Sequence, residues 1–475
     1  MKSIYMVMKG LAARPLAVFV MIVLTGFCAL SCQHNDSDRI RPWDENPWYW
    51  QFKGEPVLLL GASSDDNLFQ WPATMLIPHL DSMKSVGANY VRNTMSDRQD
   101  RGFELYPYVQ VGDGKYDLEK LNEEYYNRFD VFLQETEKRD IIVQIELWDR
   151  FDYSRDHWPV HPYNPNNNIN YTSAESGLDT IYPDHPGQNK QAFFFTTPKQ
   201  RDIELLLQFQ KRRVERMLEI SFQYDNVLYC IDNETSAEEE WGIYWADFIL
   251  EKAKGAEKNI CVTEMWDSWD LTSAEHKRTF DHPERYAYCD VSQNNQKKGQ
   301  VHWDNFLWVK NYISAHPRPL NTVKTYGRDG GRHGSTKNGL ERWWRHVLGG
   351  VAAARFHRPD SGLGLSTHSM NSVKVAREME KLVKLWVLEA DNSLLSNRED
   401  NEAYLASKAG EVHVVFFTDG GAVNLDLSGY EKNFEIKWFN IRSGKIDFQD
   451  KVVGANVIQL SAPDDLEWLA VLKAI

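Results

Sequence analysis

The chain has 475 residues, with 54 Lys and Arg against 68 Asp and Glu, for a formal charge of −14. Apolar residues make up 42% of it, enough for a core, which excludes a mainly disordered chain. The acidity argues against a nucleic-acid partner, because phosphate binding needs a basic surface.

The first element is an address. Lys2, Lys9 and Arg14 make a basic start free of acids, and residues 15–30 are an apolar run. That run is short of the ~20 apolar residues a bilayer helix needs, so it reads as a secretory signal. Ala29-Leu30-Ser31-Cys32, followed by polar residues, resembles the lipobox of bacterial lipoproteins. The expectation is a signal peptide over 1–31, lipidation of Cys32, and a place in the cell envelope, periplasmic or on the outer-membrane surface. Membrane contact would then be through the lipid alone. Residues 32–55 read as a linker leading into the next domain. Cys230, Cys261 and Cys289 lack the spacing of a disulfide framework or zinc site and read as small buried hydrophobes.

Residues 56–395 alternate apolar runs with helical patterns. The strand candidates are 56–63, 89–95, 141–147, 227–231, 259–263, 286–291, 320–324 and 350–356. Nearly continuous apolar strands point to a parallel sheet covered on both faces. Thr197 with Gln200, and Ser236 with Glu239, match capping boxes that would start helices there. Helical spacing recurs near 303–313, 339–348 and 370–388. Eight strand–helix units fit an α/β fold of the (β/α)8 TIM-barrel type. A doubly wound open sheet is the alternative, and its glycine-rich phosphate turn is missing. The connection 150–196 has no regular period and falls where barrel active sites are built. From 396 to 475, Val423, Leu425 and Leu427, and then Phe434, Ile436 and Trp438, alternate with polar residues. This predicts a small antiparallel β-sandwich domain.

Polar groups stand at the carboxyl ends of all eight strand candidates. Asp65 and Asp66 end the first, Arg92 and Asn93 the second, and Glu146, Trp148 and Asp149 the third. Asn233-Glu234 follows the fourth; Glu264, Trp266 and Asp267 end the fifth, and Asp290, Gln293 and Asn294 follow the sixth. Lys324 and Tyr326 follow the seventh, and Arg355 and His357 the eighth. Carboxylates and amides suit sugar hydroxyls, and Trp faces suit their C–H surfaces. Glu234 is placed to act as a general acid if burial raises its pKa. It could equally be a charge near the start of the following helix. The histidines form no tight metal motif, no G-x-S-x-G occurs, and no cofactor is implied. The run GRDGGRHG (327–334) is Gly-rich and basic; it reads as a flexible loop or a holder for an anionic sugar.

The signal, the barrel, the Asn-Glu pair and the closing β domain resemble the clan A (β/α)8 glycoside hydrolases. The likeness is to the apiosidase-like branch, glycoside hydrolase family 140, and it covers most of 45–475. KWFNIRSGKI (437–446) is similar to a tryptophan–turn pattern of the accompanying β domain. The resemblance implies that Glu234, after Asn233, is the acid/base. Clan A also places a nucleophilic Glu at the end of the seventh strand, where this chain has Lys324. The second carboxylate is then Glu264, ahead of Glu146, Asp290 and Asp329. The leading expectation is a glycoside hydrolase acting on complex polysaccharide fragments through Glu234 and Glu264. Asp65, Asp66, Arg92, Asn93, Glu146, Trp148, Asn233, Trp266, Lys324, Tyr326, Arg355 and His357 would bind substrate. Two alternatives are a non-catalytic carbohydrate-binding lipoprotein, and a lyase on uronic acids using Lys324, Tyr326 or His357.

Overall fold

The computed structural model describes residues 38–186 and 190–475. The signal peptide and Cys32 lie outside the described residues. Eight parallel strands build the barrel: β1 (Leu59–Ala62), β2 (Tyr90–Thr94), β3 (Ile142–Asp149), β4 (Val227–Asn233), β5 (Val262–Thr263), β6 (Cys289–Asp290), β7 (Leu320–Thr325) and β8 (Ala353–Phe356). They pair in the order β5-β4-β3-β2-β1-β8-β7-β6. Each strand therefore lies beside its neighbours in sequence, and no reversal of order marks a doubly wound sheet. Every predicted strand segment overlaps one of these strands, and β3, β4 and β7 run past the predicted ends.

Eight helices cover the outside: α1 (Ala73–Ser85), α2 (Glu123–Glu137), α3 (Glu204–Ser221), α4 (Glu239–Gly255), α5 (Ala274–Phe280), α6 (Gly299–Tyr312), α7 (Thr336–Gly349) and α8 (Thr367–Leu382). The strands read as apolar runs because they are enclosed on both faces; β3 and β4 are buried at every residue. Neither predicted capping box caps its helix. Thr197 and Gln200 bond to each other in a turn, and α3 begins only at Glu204. Ser236 likewise stands outside α4, whose N-cap is Glu238.

The barrel floor is closed by polar packing. A three-stranded antiparallel sheet (Arg41–Pro42, Trp50–Phe52, Glu55–Val57) carries the buried Trp50. The Trp50 indole donates to Asn321 Oδ1 at 2.9 Å. Asn321 donates to the Tyr90 hydroxyl at 3.2 Å, which donates to Gln144 Oε1 at 2.6 Å. The chain of bonds gives the Trp50 indole, the Asn321 amide and the Tyr90 hydroxyl each a partner. Cys230, Cys261 and Cys289 are buried and unbridged.

The C-terminal strands are β9 (Glu389–Ala390), β10 (Leu395–Ser396), β11 (Ala403–Lys408), β12 (Val412–Phe417), β13 (Ala422–Asp426), β14 (Asn433–Asn440), β15 (Lys445–Val453), β16 (Val457–Ser461) and β17 (Trp468–Ala474). Six of them pair as β9-β11-β12-β17-β14-β15, and three as β10-β13-β16. Period-two alternation explains the layering. Val415 and Phe417 join Val423, Leu425, Phe434 and Trp438 between the two sheets, while Val414 and Phe416 face the barrel core. Helix α7 is buried from Gly339 to Gly349, and its Arg345 reaches Asn401 Oδ1 at 2.6 Å.

The 150–196 connection is packed. Among its described residues Trp158, Tyr163, Phe193 and Phe194 are buried, with the Tyr153 and Phe193 rings stacked 4.1 Å apart. These four rings are packed away and unavailable as sugar platforms, whereas Phe151 of the same connection is only half-buried.

Candidate active site

Strand β4 delivers Glu234 to the carboxyl end of the barrel. At Glu234 the backbone turns into the left-handed region, with φ of 51°. A non-glycine residue held there costs of order 1–3 kcal/mol, a strain met at functional sites. The helix that follows starts five residues later, so Glu234 is no helix-terminus charge.

The Glu234 carboxylate is clamped. Lys324 Nζ lies 2.7 Å from its Oε1, and the Tyr326 hydroxyl and Gln293 Nε2 each donate to that oxygen at 3.0 Å. Lys324 also donates to Asn233 Oδ1, and Asn233 Nδ2 donates to Asp149 Oδ1 at 3.0 Å. A register shift in β7 between Thr322 and Thr325 underlies this aim. It lets Asn321 and Lys324, three residues apart, both serve the interior, a use of strand irregularity common beside active sites. Burial pushes the Glu234 carboxyl up, but the Lys324 ammonium and the donors around it prevail, and its pKa falls to about 2. The Glu234 carboxyl is thus held in its ionised form by Lys324 and the donors around it.

Beneath it lies a buried charge network. Arg92 meets Glu146 Oε2 at 2.7 Å and Asp66 Oδ2 at 3.2 Å, and Arg355 meets Asp66 Oδ1 at 2.7 Å. Burial opposes the charge on Asp66, yet the cations around it hold its carboxyl well below the usual range. Burial pushes the Glu146 carboxyl up against the pull of Arg92 and Lys324. Burial also keeps His357 well below the usual imidazole range, hence neutral.

A cleft of about 150 Å³ opens above this network. Of the expected residues, Asp66, Arg92, Asn233, Glu234, Lys324, Tyr326 and His357 line it. Arg98, Phe151, Arg332, Arg358 and Asp360 also stand in the wall, together with Ser361. A neighbouring cavity of about 300 Å³ shares Arg98, Arg358 and Asp360 and contains Asp65. Sequence reasoning left these wall residues out of its site. All lie in connections leaving β2, β3, β7 and β8; Arg332 stands in the run 327–334 and Phe151 in the connection 150–196.

Other expected residues lie elsewhere. Glu264 is buried, with Oε1 held by the backbone N–H groups of Asp232 and Met265 at 3.0 and 2.9 Å. Its Oε2 lies against Gly242 of α4, away from the cleft lining, which corrects its expected role as second carboxylate. Trp148 and Trp266 are each 1% exposed and present no face to a sugar. Trp148 packs on Phe193, Trp241 and Trp245, and the Trp266 indole donates to Thr279 Oγ1. Asn93 accepts from the Phe69 N–H, Arg355 and Glu146 support from below, and Asp290 is spent on Ser292. Asp329 accepts from the Thr336 N–H at the start of α7.

Asp267, three residues beyond Glu264, is placed differently. Its N–H donates to Thr235 O at 2.9 Å, joining the end of β5 to the Glu234 turn. Burial and the negative charge of Glu234 push its carboxyl up to about 7. Two carboxyls at adjoining strand ends are therefore driven apart, one ionised and one holding its proton near neutrality. Among the described residues, no group of three His, Cys, Asp or Glu side chains is gathered as a metal site.

No family model and no curated protein sequence matches the chain. Solved structures do. A glycoside hydrolase family 5 structure from Bacteroides vulgatus aligns with TM-score 0.63 at 12% identity, over 92% of this chain and 93% of its own. A structure named only as a glycoside hydrolase aligns with TM-score 0.58 at 11% identity, over 92% and 97%. A further glycoside hydrolase structure from Bacteroides vulgatus gives 0.55 at 11% identity, over 93% and 83%. At such identity the likeness is one of fold, and it spans the barrel together with the C-terminal β strands.

Proposed function

We propose that the chain is a glycoside hydrolase acting on complex polysaccharide fragments, of the apiosidase-like kind its sequence resembles. The observation that carries this reading is Glu234 at the end of β4, clamped by Lys324, Tyr326 and Gln293 on the cleft wall, with the Asp267 N–H bonded to the same turn at Thr235 O at 2.9 Å; Glu234 is held near 2 and Asp267 is pushed up to about 7. Such a split assigns acid and base roles within one site. Asp267 gives its proton to the glycosidic oxygen as the bond to the anomeric carbon breaks. Glu234 stabilises the positive charge that develops on the sugar ring. A carboxylate held near 2 is a weak base, so charge stabilisation or direct attack suits Glu234 better than proton abstraction from water. Water adds to the anomeric carbon in completing the reaction and restores the Asp267 proton. The fold shared with glycoside hydrolase structures supports the choice of bond.

The test is turnover of a glycan panel by Glu234→Gln and Asp267→Asn. We expect each to lower kcat/KM by about 10²–10⁴-fold on natural glycans. Asp267→Asn should be largely spared on aryl glycosides, whose leaving groups need no proton. Full activity of either variant on natural glycans would reject its assigned role.

The second reading is a carbohydrate-binding barrel without turnover. Lys324 favours it, since an ammonium stands on β7 where a retaining clan A enzyme would carry a carboxylate. Binding of an oligosaccharide by the wild type with no product after long incubation would decide for it.

A further inference from the structure

We propose that the cleft takes a sugar bearing an acidic group, a carboxylate or a sulfate, seated between Arg332 and Arg358. This rests on the glycoside-hydrolase reading for the sugar, but the acidic group is argued from charge alone. On the cleft wall one carboxylate, Asp66, answers three guanidinium groups: Arg355 at 2.7 Å, Arg92 at 3.2 Å and Arg358 at 3.5 Å. Glu146 takes the other side of Arg92, but burial pushes that carboxyl toward its neutral form. Glu234 is matched by Lys324. Asp360 faces Arg358 at 2.8 Å from a half-exposed position.

Arg332 remains. Its Nε donates to His333 Nε2 at 2.8 Å, and among the described residues no carboxylate pairs with it. His333 is held neutral, its pKa near 4, chiefly by burial and then by Arg332 and Arg342. Its ring stacks on Tyr326 at 4.2 Å, and Tyr326 donates to Glu234. The unmatched guanidinium is therefore mounted three contacts from the reacting carboxylate, through His333 and Tyr326. In a chain of formal charge −14 this positive lining is not a by-product of general basicity. A neutral sugar would leave Arg332 and Arg358 facing hydroxyls, whereas an acidic group forms charge-assisted bonds with both.

The experiment is calorimetry on the full chain carrying Glu234→Gln, so that binding is read without turnover, repeated with wild type at low temperature in case the variant misfolds. The probes are oligogalacturonate with its carboxyl-reduced form, and a sulfated galactan oligosaccharide with its desulfated form. The two pairs distinguish carboxylate from sulfate. We expect one acidic probe to bind at least about tenfold tighter than its neutral match, with affinity falling as salt rises. Arg332→Gln and Arg358→Gln should each erase about tenfold of that preference, weakening the acidic probe more than its neutral match. Equal binding of acidic and neutral forms, equal weakening of both by Arg332→Gln, or no binding of either acidic probe would overturn the proposal. Acid-selective binding without hydrolysis by the wild type would sink the hydrolase reading and leave this one standing. Hydrolysis of neutral glycans with no acid preference would do the reverse.

Discussion

Lys324→Met isolates what one ammonium does to one carboxylate. Lys324 sits 2.7 Å from Glu234 and is the chief force holding that carboxyl near 2. Removing it leaves burial unopposed, so the Glu234 pKa should climb above its usual 4.5. We expect the acid limb of kcat/KM against pH to move upward, and the fold to lose about 3 kcal/mol at neutral pH, since a buried charge loses its partner. An acid limb that stays in place would show that Glu234 does not control it. The Glu234–Lys324 pair also marks the limit of sequence reading at this scale. Glu234 was legible because it directly follows an apolar strand, and Lys324 was noticed as the residue displacing a carboxylate. Their contact was not legible, because it depends on a register shift in β7 that no residue type announces. Glu264 and Asp267 lie three apart at the same strand end, and the pattern could not tell which of them backbone donors would claim. The backbone N–H groups that claim Glu264 decided it.

At the level of elements, the connection from β7 to α7 controls the site. Tyr326 ends the approach, and Gly327 follows with φ of 126°. A Cβ at Gly327 would stand 2.5 Å from the Gly339 backbone N and 2.8 Å from Ser335 O. Both obstacles are backbone, so they cannot swing aside. Gly327→Ala should therefore cost about 3 kcal/mol and lower the melting temperature. It should also lower kcat, because Tyr326 and the stacked His333 flank this turn. A variant with wild-type melting and turnover would show that the turn relaxes freely. The elements themselves were largely readable. Eight apolar runs became eight strands because both faces of each strand are covered. Helix starts were less readable, since the Thr197 and Ser236 patterns bond locally in turns and leave α3 and α4 to begin later. Trp158, Tyr163, Phe193 and Phe194 of 150–196, and Trp148 and Trp266, went into packing because composition cannot tell a buried ring from an exposed one.

Over the whole molecule, opposed sets of buried groups set the dependence of stability on pH. Asp232, Asp267 and Asp290 are pushed up to about 7, and Glu264 and Asp152 well above the carboxylate range, in each case chiefly by burial. Such groups give stability that is complete below their unfolded pKa, near 4, and lost as pH rises through the folded value. Burial also lowers His79, His276, His333 and His413 to about 4 and His346 to about 3. These contribute stability that is present above about 6.5 and lost as pH falls toward the folded values. Between about pH 4.5 and 6.5 the unfolded chain carries extra protons on histidines, and the folded chain carries extra protons on acids. Burial also lowers His157, His161, His185, His302 and His357, so the histidines outnumber the raised acids and stability should rise with pH across this window. Above 7 the histidines no longer differ, while Glu264 and Asp152 still keep their protons in the folded state, so stability falls. Below 4 the acids no longer differ, and the neutral histidines, with Glu234 and Asp66, pull stability down. Thermal melts from pH 3.5 to 9 should climb to a maximum near neutrality and decline above it. A melting temperature that rises steadily to pH 8 would mean that the raised acids are ionised in the folded protein. Because Asp267 is one of them, that outcome would also remove the proton donor from the proposed site.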